Sequence, residues 1–492
     1  MFQTQNLGRL SLYTDYTEVT LENVTDIISK VQNDFQTNVN DIDFLLKFEK
    51  GYQPLIRTKE YRPEIDITCI DNIANEITEF KLGYVWGYPI TIGQRGIKDS
   101  GGKNESEGIT LLNEQYETEG IRTKTQELGR FVEITGIGYS YVDINTERGD
   151  GDSNFTVDIL DPRCTFVVRS TKYLDKRIIL GVTFTEDTQG NRHYTCFSKD
   201  TRYEIECKGG SYTFTDRNAE RNPLGMIPIV EWIRAYDRMG CFERQIPEIN
   251  GLNILSSDMV NDVDQNCQAI WLGIDIDFPK DEEGNEQTPR SNEWVLANSK
   301  EDGHRPDAKP LTIPYDYSGM LNNYITRRSL ILQKCNVPQR NDNSGGSTGI
   351  AMSDAAGWSA AEANACKQQN LMESCKMEEI KLVLRAINKS TIEANSPLLK
   401  IRYTDCQPNI KRQKTYELTT KVNFFATAVS HGINGLHALK AMNAFEDVNQ
   451  VWEDSKEMIE KYQDSVVNKG ESEDRLSADN SDQITNSPNL QG

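Results

Sequence analysis

Apolar residues three and four positions apart organise the first part of the chain. Leu21, Val24, Ile27, Ile28 and Val31 form one stripe, and Ile42, Phe44, Leu45 and Phe48 begin a second that Gly51 should stop. A third stripe over 66–82 (Ile70, Ile73, Ala74, Ile77, Phe80) predicts a helix leading into GYVWGYPITI, where aromatics with Gly and Pro predict a short edge strand. Another helix is predicted over 121–135. From 139 to 233 the repeat shortens to about two residues. YVDI, FTVDIL, FVV, RIILGVTFT, HYTCF, YEIEC and SYTFT are separated by DG, QG and GG turn signals. They predict an antiparallel meander that closes at NPLGMIPIVEWI, with Pro223 and Pro228 marking edges.

Helical spacing returns at Pro247, a residue suited to a first turn. Leu252, Leu255, Met259, Val263 and Cys267 predict a helix over 247–271, ending near Trp271. Its opposite face is polar and acidic: Asn253, Ser257, Asp258, Asn261, Asp262, Asp264 and Gln265. Residues 272–317 hold acidic turns and KPLTIPY, read as a small mixed subdomain. A second helix over 318–336 carries Leu321, Tyr324, Ile325, Arg328, Leu332 and Cys335 on one side until Pro338 stops it. The segment 338–353 is a polar Gly/Ser loop. A long helix over 354–396 follows, in which the pair Ser359 and Glu362 resembles a capping box and suggests a kink or restart near Trp358. A strand over 398–405 and three helical patterns between 413 and 467 complete the pattern. Residues 468–492 contain few apolar side chains and no aromatic, so they are expected to be disordered.

Composition refines this picture. The chain has 492 residues and a formal net charge of -21, and only 37% of it is hydrophobic, which suits an elongated protein with solvated helices. Such acidity argues against a broad phosphate-gripping surface, which needs clustered Lys and Arg. No run reaches the ~20 apolar residues of a membrane span, and residues 1–20 show neither a basic start nor an apolar stretch. A cytoplasm-like compartment is expected, with no membrane contact. The ten cysteines, Cys69 to Cys406, form no CxxC pair, so reduced, mostly buried thiols are expected rather than a zinc or disulfide framework.

Candidate chemistry is sparse. GIKDSGGKNES at 96–106 imitates a phosphate loop, but Gly96 stands one place too early and Asn104 replaces the magnesium-holding Ser or Thr. His431 and His437 are six apart rather than the four that align zinc ligands on a helix. Asp258, Asp262 and Asp264 could in principle hold magnesium for nuclease chemistry, yet no basic or nucleophilic motif accompanies them. No catalytic residue, metal site or cofactor is expected.

The order of parts carries a resemblance. Helix then Gly83, Tyr84, Gly87, Pro89 and Ile90; FVEITGIGYSYVDI; Gly225, Ile227, Pro228, Ile229 and Val230; and STGIAMSDAAGW together resemble the portal proteins of long-tailed bacteriophages over roughly residues 40 to 465. A departure is Thr348-Gly349, where Ser-Gly is common in that branch. The resemblance implies an α+β subunit: an N-terminal arm (1–20), a wing (21–246 with the strand 398–405), stem helices (247–271 and 318–336), and a clip (272–317). It further implies a tunnel loop (338–353), a long kinked helix (354–396), a helical crown (408–467) and a tail (468–492). It also implies a non-enzymatic ring of about twelve copies at one capsid vertex of the virion, assembled in the host cytoplasm. Double-stranded DNA would pass through it, and terminase, capsid and scaffold proteins and a neck or tail adaptor would be its partners. On this resemblance Asn341, Asp342, Asn343, Ser344, Gly345, Gly346 and Ser347 would face the DNA. Asp258, Asp262 and Asp264 are the candidates for an acidic tunnel wall. A metal-dependent phosphodiesterase acting on nucleic acid and another virion or scaffold protein are the alternatives.

Overall fold

In the computed structural model the first two stripes fuse into one helix, α1 (Val24–Glu49). The structure describes residues 7–55, 66–95, 107–147, 149, 151–215, 219–267, 270–274, 283, 307–311, 316–339, 357–412, 418–442, 451–459 and 461. The fold is α+β, and the chain divides into two units, 1–413 and 414–492. The polar stretch between the stripes does not break α1, because its inward residues hold the N-terminal arm. Asn38 accepts from the Leu10 amide at 2.8 Å and donates to the Leu10 carbonyl at 2.9 Å. Asp41 lies 3.7 Å from the buried guanidinium of Arg9, which pairs with Glu243 at 2.7 Å. Buried polar groups matched in this way cost far less than unpaired ones. The helix stops at Gly51, whose φ of +96° favours glycine.

The expected single meander separates into two sheets. The larger has β1 (Leu12–Thr14), β5 (Thr165–Ser170), β6 (Ile178–Glu186), β7 (Arg192–Phe197), β8 (Thr201–Lys208), β9 (Ser211–Phe214) and β10 (Glu220–Arg221). Its order is β1-β5-β6-β7-β8-β10, with β9 also on β8, and β1 runs parallel to β5. Val24, Ile27, Ile28, Val31 and Phe35 of α1 cover one face. The smaller sheet sets β3 (Ile137–Ile144) between β4 (Phe155–Leu160) and β11 (Ile229–Ile233). Here NPLGMIPIVEWI does more than close a meander, since its strand pairs antiparallel with β3, which precedes the larger sheet's strands β5 to β10 in the chain.

The helices α2 (Ile73–Val85), α3 (Glu107–Thr118), α4 (Ile121–Thr135) and α7 (Trp358–Lys389) and the smaller sheet share one apolar core around Trp86, Val142, Phe155, Trp232 and Met372. The helix α3 escaped the periodicity reading, and α4 spans the expected residues. The long helix begins at Trp358, behind Gly357 at φ +86°, and ends at Lys389, seven residues short of the expected 396, as Ser390 turns to extended backbone. The kink or restart expected near Trp358 falls at the first residue of this helix, and residues 340–356 before it lie outside the described residues. No side chain caps α7, so Ser359 and Glu362 are not a capping box.

The strand expected over 398–405 is corrected to β14 (Cys406–Asn409), antiparallel to β2 (Thr91–Gln94). Single 3-10 turns at Pro397–Lys400 and Tyr403–Asp405 take up the LLKIRYTD segment instead. Pro397 imposes the first of them. The phosphate-loop imitation at 96–106 lies outside the described residues.

In the second unit α8 (Leu418–Ser430) and α9 (Gly435–Met442) pack through Ala428, Val429 and Ala438, and 451–459 is helical. Gly435 admits the Trp452 ring, which would lie 2.6 Å from any Cβ placed there. The expected tail, 468–492, lies outside the described residues.

Candidate functional site: the stem and the anchors of the loop

Two helices form the candidate stem, α5 (Ile246–Cys267) and α6 (Tyr317–Lys334). The first ends before the expected Trp271, because Ile270–Ile274 becomes a strand, β12, antiparallel to β13 (Asp307–Leu311). The rest of the expected 272–317 subdomain, apart from Glu283 and Asp316, lies outside the described residues.

The apolar stripe expected to bury α5 does so only near its start, at Leu252. Further along, Asn253, Ser257 and Asn261 are the buried line, while Val260 and Val263 are exposed. The reason is an extended strap, residues 67–71, lying along that polar line. Asn261 Oδ1 accepts from the Ile67 amide at 2.8 Å, and its Nδ2 donates to the Ile67 carbonyl at 2.9 Å. Ser257 Oγ accepts from the Cys69 amide at 2.9 Å and donates to the Cys69 carbonyl at 3.3 Å. Asn253 Oδ1 accepts from the Asp71 amide at 3.0 Å. The spacings match, since four helical residues rise about 6 Å and two extended residues about 6.6 Å. Residues 253, 257 and 261 therefore meet residues 71, 69 and 67 in turn. The signal was present as Asn, Ser and Asn at steps of four on one helix face, grouped in the sequence reading with the acids.

The acids are thereby separated from that ladder's role. Asp258, Asp262 and Asp264 are partly exposed on α5, with Asp258 and Asp262 one helical turn apart. Among the described residues no three His, Cys, Asp or Glu side chains gather to hold a metal. His431, one residue past the end of α8, has its Nδ1 2.8 Å from the Thr427 carbonyl of that helix.

The tunnel-loop candidates Asn341, Asp342, Asn343, Ser344, Gly345, Gly346 and Ser347 lie outside the described residues, but both ends of their segment are visible. Asn336 leaves α6 with φ +54°, and Gln339 bonds back to Ser329 through both its amide atoms. At the far end Trp358 stands edge-on to Phe80 and Tyr84 of α2, with centroids 5.9 and 5.6 Å away. Tyr84 also donates to Glu362, which pairs with Arg412 at 3.0 Å. Between these anchors lies Lys81, buried, with its ammonium donating to the Asn336 carbonyl at 3.2 Å. Burial pushes the Lys81 pKa down, and nearby Glu133 opposes the shift. The same desolvation raises the neighbouring Cys241 and Cys335 thiols to about 12 and about 11. Sequence periodicity marked Phe80 as core and gave no sign of Lys81.

Among the described residues no helix is long and apolar enough to cross a membrane. A search of curated proteins finds no match. The family model described as phage portal protein, SPP1 Gp6-like, matches residues 59–465, from before the strap to beyond the last described helix. That family is structural, and membership implies a homo-oligomeric ring associated with the capsid vertex of the virion. With the match running over most of the chain, this protein belongs to the SPP1 Gp6-like phage portal proteins.

Proposed function

We propose that the chain is the subunit of a ring, of about twelve copies, through which double-stranded DNA enters and leaves the capsid. The observation that carries this reading is the inverted stem. Its polar line is covered by the chain's own strap, while Ile254, Val260 and Val263 of α5 and Leu321, Ile325 and Leu330 of α6 are 37, 40, 45, 49, 54 and 47% exposed. Apolar residues so placed on two neighbouring helices suit burial against further copies of the same chain. A closed ring satisfies every such face, whereas an open heterologous contact would grow into filaments.

In this reading the stem acids Asp258, Asp262 and Asp264 belong to an acidic wall. A ring of about twelve chains, each of net charge -21, would carry roughly -250 formal charges and repel phosphate, so the duplex slides rather than sticks. Asn341 to Ser347 would meet the DNA as small, polar, adjustable residues. Terminase would supply the motor, capsid and scaffold proteins the assembly surface in the host cytoplasm, and a neck or tail adaptor the exit. The protein itself would perform no catalysis and need no cofactor.

Two measurements test this. Native mass spectrometry of the purified chain is expected to show a ring near 670 kDa for about twelve copies of 55.9 kDa. Monomers or dimers alone, across salt and concentration, would remove the reading. Deleting Asn343 to Ser347 is expected to leave rings and procapsids intact and lower the DNA content per particle. A deletion after Lys469 serves as the control and should change neither. Normal filling of the loop-deleted particles would take the loop out of the mechanism.

A further inference from the structure

We infer that α2 is a mechanical link between the stem and both ends of the 340–356 segment, with Lys81 as its positioning residue. Its consequence for DNA rests on the tunnel reading above; the link itself does not.

The stem end of α2 is bolted down. The strap on the α5 ladder runs directly into it through Asn72, held at φ +46°. Asn72 donates to the Glu49 carbonyl of α1 at 3.1 Å and accepts from Gln53 at 2.9 Å. Gln53 in turn accepts from the ladder residue Asn253 at 2.6 Å. Displacing α5 therefore pulls on the first turn of α2 through the strap and through Gln53.

The other end of α2 holds the segment at both of its anchors. Lys81 Nζ donates to the Asn336 carbonyl and also stands 5.5 Å from the centroid of Phe80. Phe80 stacks with Tyr84 at 5.5 Å, and these two rings flank Trp358. One ammonium thus bonds the Asn336 carbonyl, just before the segment, and stands over the Phe80 ring that packs on Trp358 at its end. A packing role alone does not account for a lysine here, since an apolar side chain of the same length would fill the space without the cost of burying a charge. What the ammonium adds is the bond to Asn336.

Spatial connection alone does not establish coupling, so the test reads both ends separately. Hydrogen exchange is followed in the purified full chain over the segments 335–339, in which Pro338 carries no amide hydrogen, and 358–362. Lys81→Met is expected to speed exchange roughly tenfold at 335–339, as loss of one charged hydrogen bond should. The link requires a concurrent rise at 358–362. Tyr84→Phe keeps the ring, removes the hydroxyl's bond to Glu362 at the far end, and should accelerate 335–339 as well. Asn253→Ala, on the stem, should accelerate both ends. Exchange changes confined to the altered contact in Lys81→Met and Tyr84→Phe would overturn the link. DNA content of particles carrying Lys81→Met separates the two readings. If both ends loosen and filling stays normal, the link stands and the tunnel assignment falls.

Discussion

The pair Lys376 and Glu379 seats the long helix on α3 and the smaller sheet, and its removal gives the sharpest test of how that seat is held. The side chains are 3 and 2% exposed and meet at 2.5 Å. Glu379 also accepts from Ser140 at 3.0 Å and from Tyr116 at 3.4 Å, and Ser140 accepts from the Trp232 indole at 2.9 Å. The ammonium lies 4.0 Å from the Tyr116 ring centroid. One ion pair therefore joins α7 to α3, β3 and β11. Lys376→Met leaves a buried carboxylate, and breaking such a pair costs about 3–5 kcal/mol. Two hydroxyl donors remain on Glu379, so the lower end, about 3 kcal/mol, is expected. Lys376→Met with Glu379→Gln removes both charges while keeping an acceptor for Ser140 and Tyr116, and should return to within about 1 kcal/mol of the parent. Glu379→Gln alone leaves the ammonium buried and should cost a similar amount, about 3 kcal/mol, so the coupling in a double-mutant cycle is about 5 kcal/mol. Urea unfolding followed by tryptophan emission, with Trp232 inside the network, supplies the midpoints, and an unchanged slope confirms that the difference is one of stability. A single-variant cost under about 1 kcal/mol, or a double variant as costly as the sum of the singles, would refute the argument.

Acid sensitivity follows from Glu231, which is buried, yet Arg238 at 2.7 Å and Arg169 at 2.6 Å outweigh that desolvation and lower its pKa. A depressed carboxyl contributes stability above its unfolded pKa, near 4.5, and loses it as pH falls toward the lower folded value. Thermal melts are expected to show Arg238→Met narrowing the difference between pH 7 and pH 3, and an unchanged difference would contradict the assignment. On the strap, Asn261→Ala removes both bonds to Ile67 and should cut exchange protection of that amide about tenfold to a hundredfold. Unaltered protection would show that the ladder does not hold the strap.

The legible parts of the fold were those where one face meets one core. The stripe of α4 and the alternation of β8, where Tyr203 and Ile205 are buried and their neighbours are not, show pattern and burial in agreement. The errors came where a polar side is buried. Asn38 and Asp41 look like a break in α1 until the arm at Leu10 and Arg9 fills the gap. On α5 the pattern located an apolar stripe correctly and misread its destination, because residues distant in sequence, the strap at 67–71, take the polar side. LLKIRYTD reads as a strand by composition, but strand pairing depends on where β2 offers a partner, and that begins at Cys406. The loop's anchors were invisible for the same reason: a lysine serving a carbonyl 255 residues away leaves no local period.

That inversion of the stem also bears on how subunits find one another. Each chain carries -21, which keeps separate copies apart, and each exposes apolar residues on α5 and α6, which favour contact. The two tendencies differ in range. Charge repulsion acts over a Debye length, about 8 Å at physiological salt and about 3 Å at 1 M, whereas apolar burial acts only at contact. Salt shortens the first without weakening the second, so a ring held by the stem should form more readily as salt rises. An assembly held by intersubunit salt bridges would behave in the opposite way. The stem's charged contacts support the first case, since Arg328 already pairs with Asp71 and Glu76, and Arg327 and Lys334 with Glu248, all within one chain. With those cations engaged internally, the exposed apolar residues of α5 and α6 are the side chains proposed to meet a neighbour.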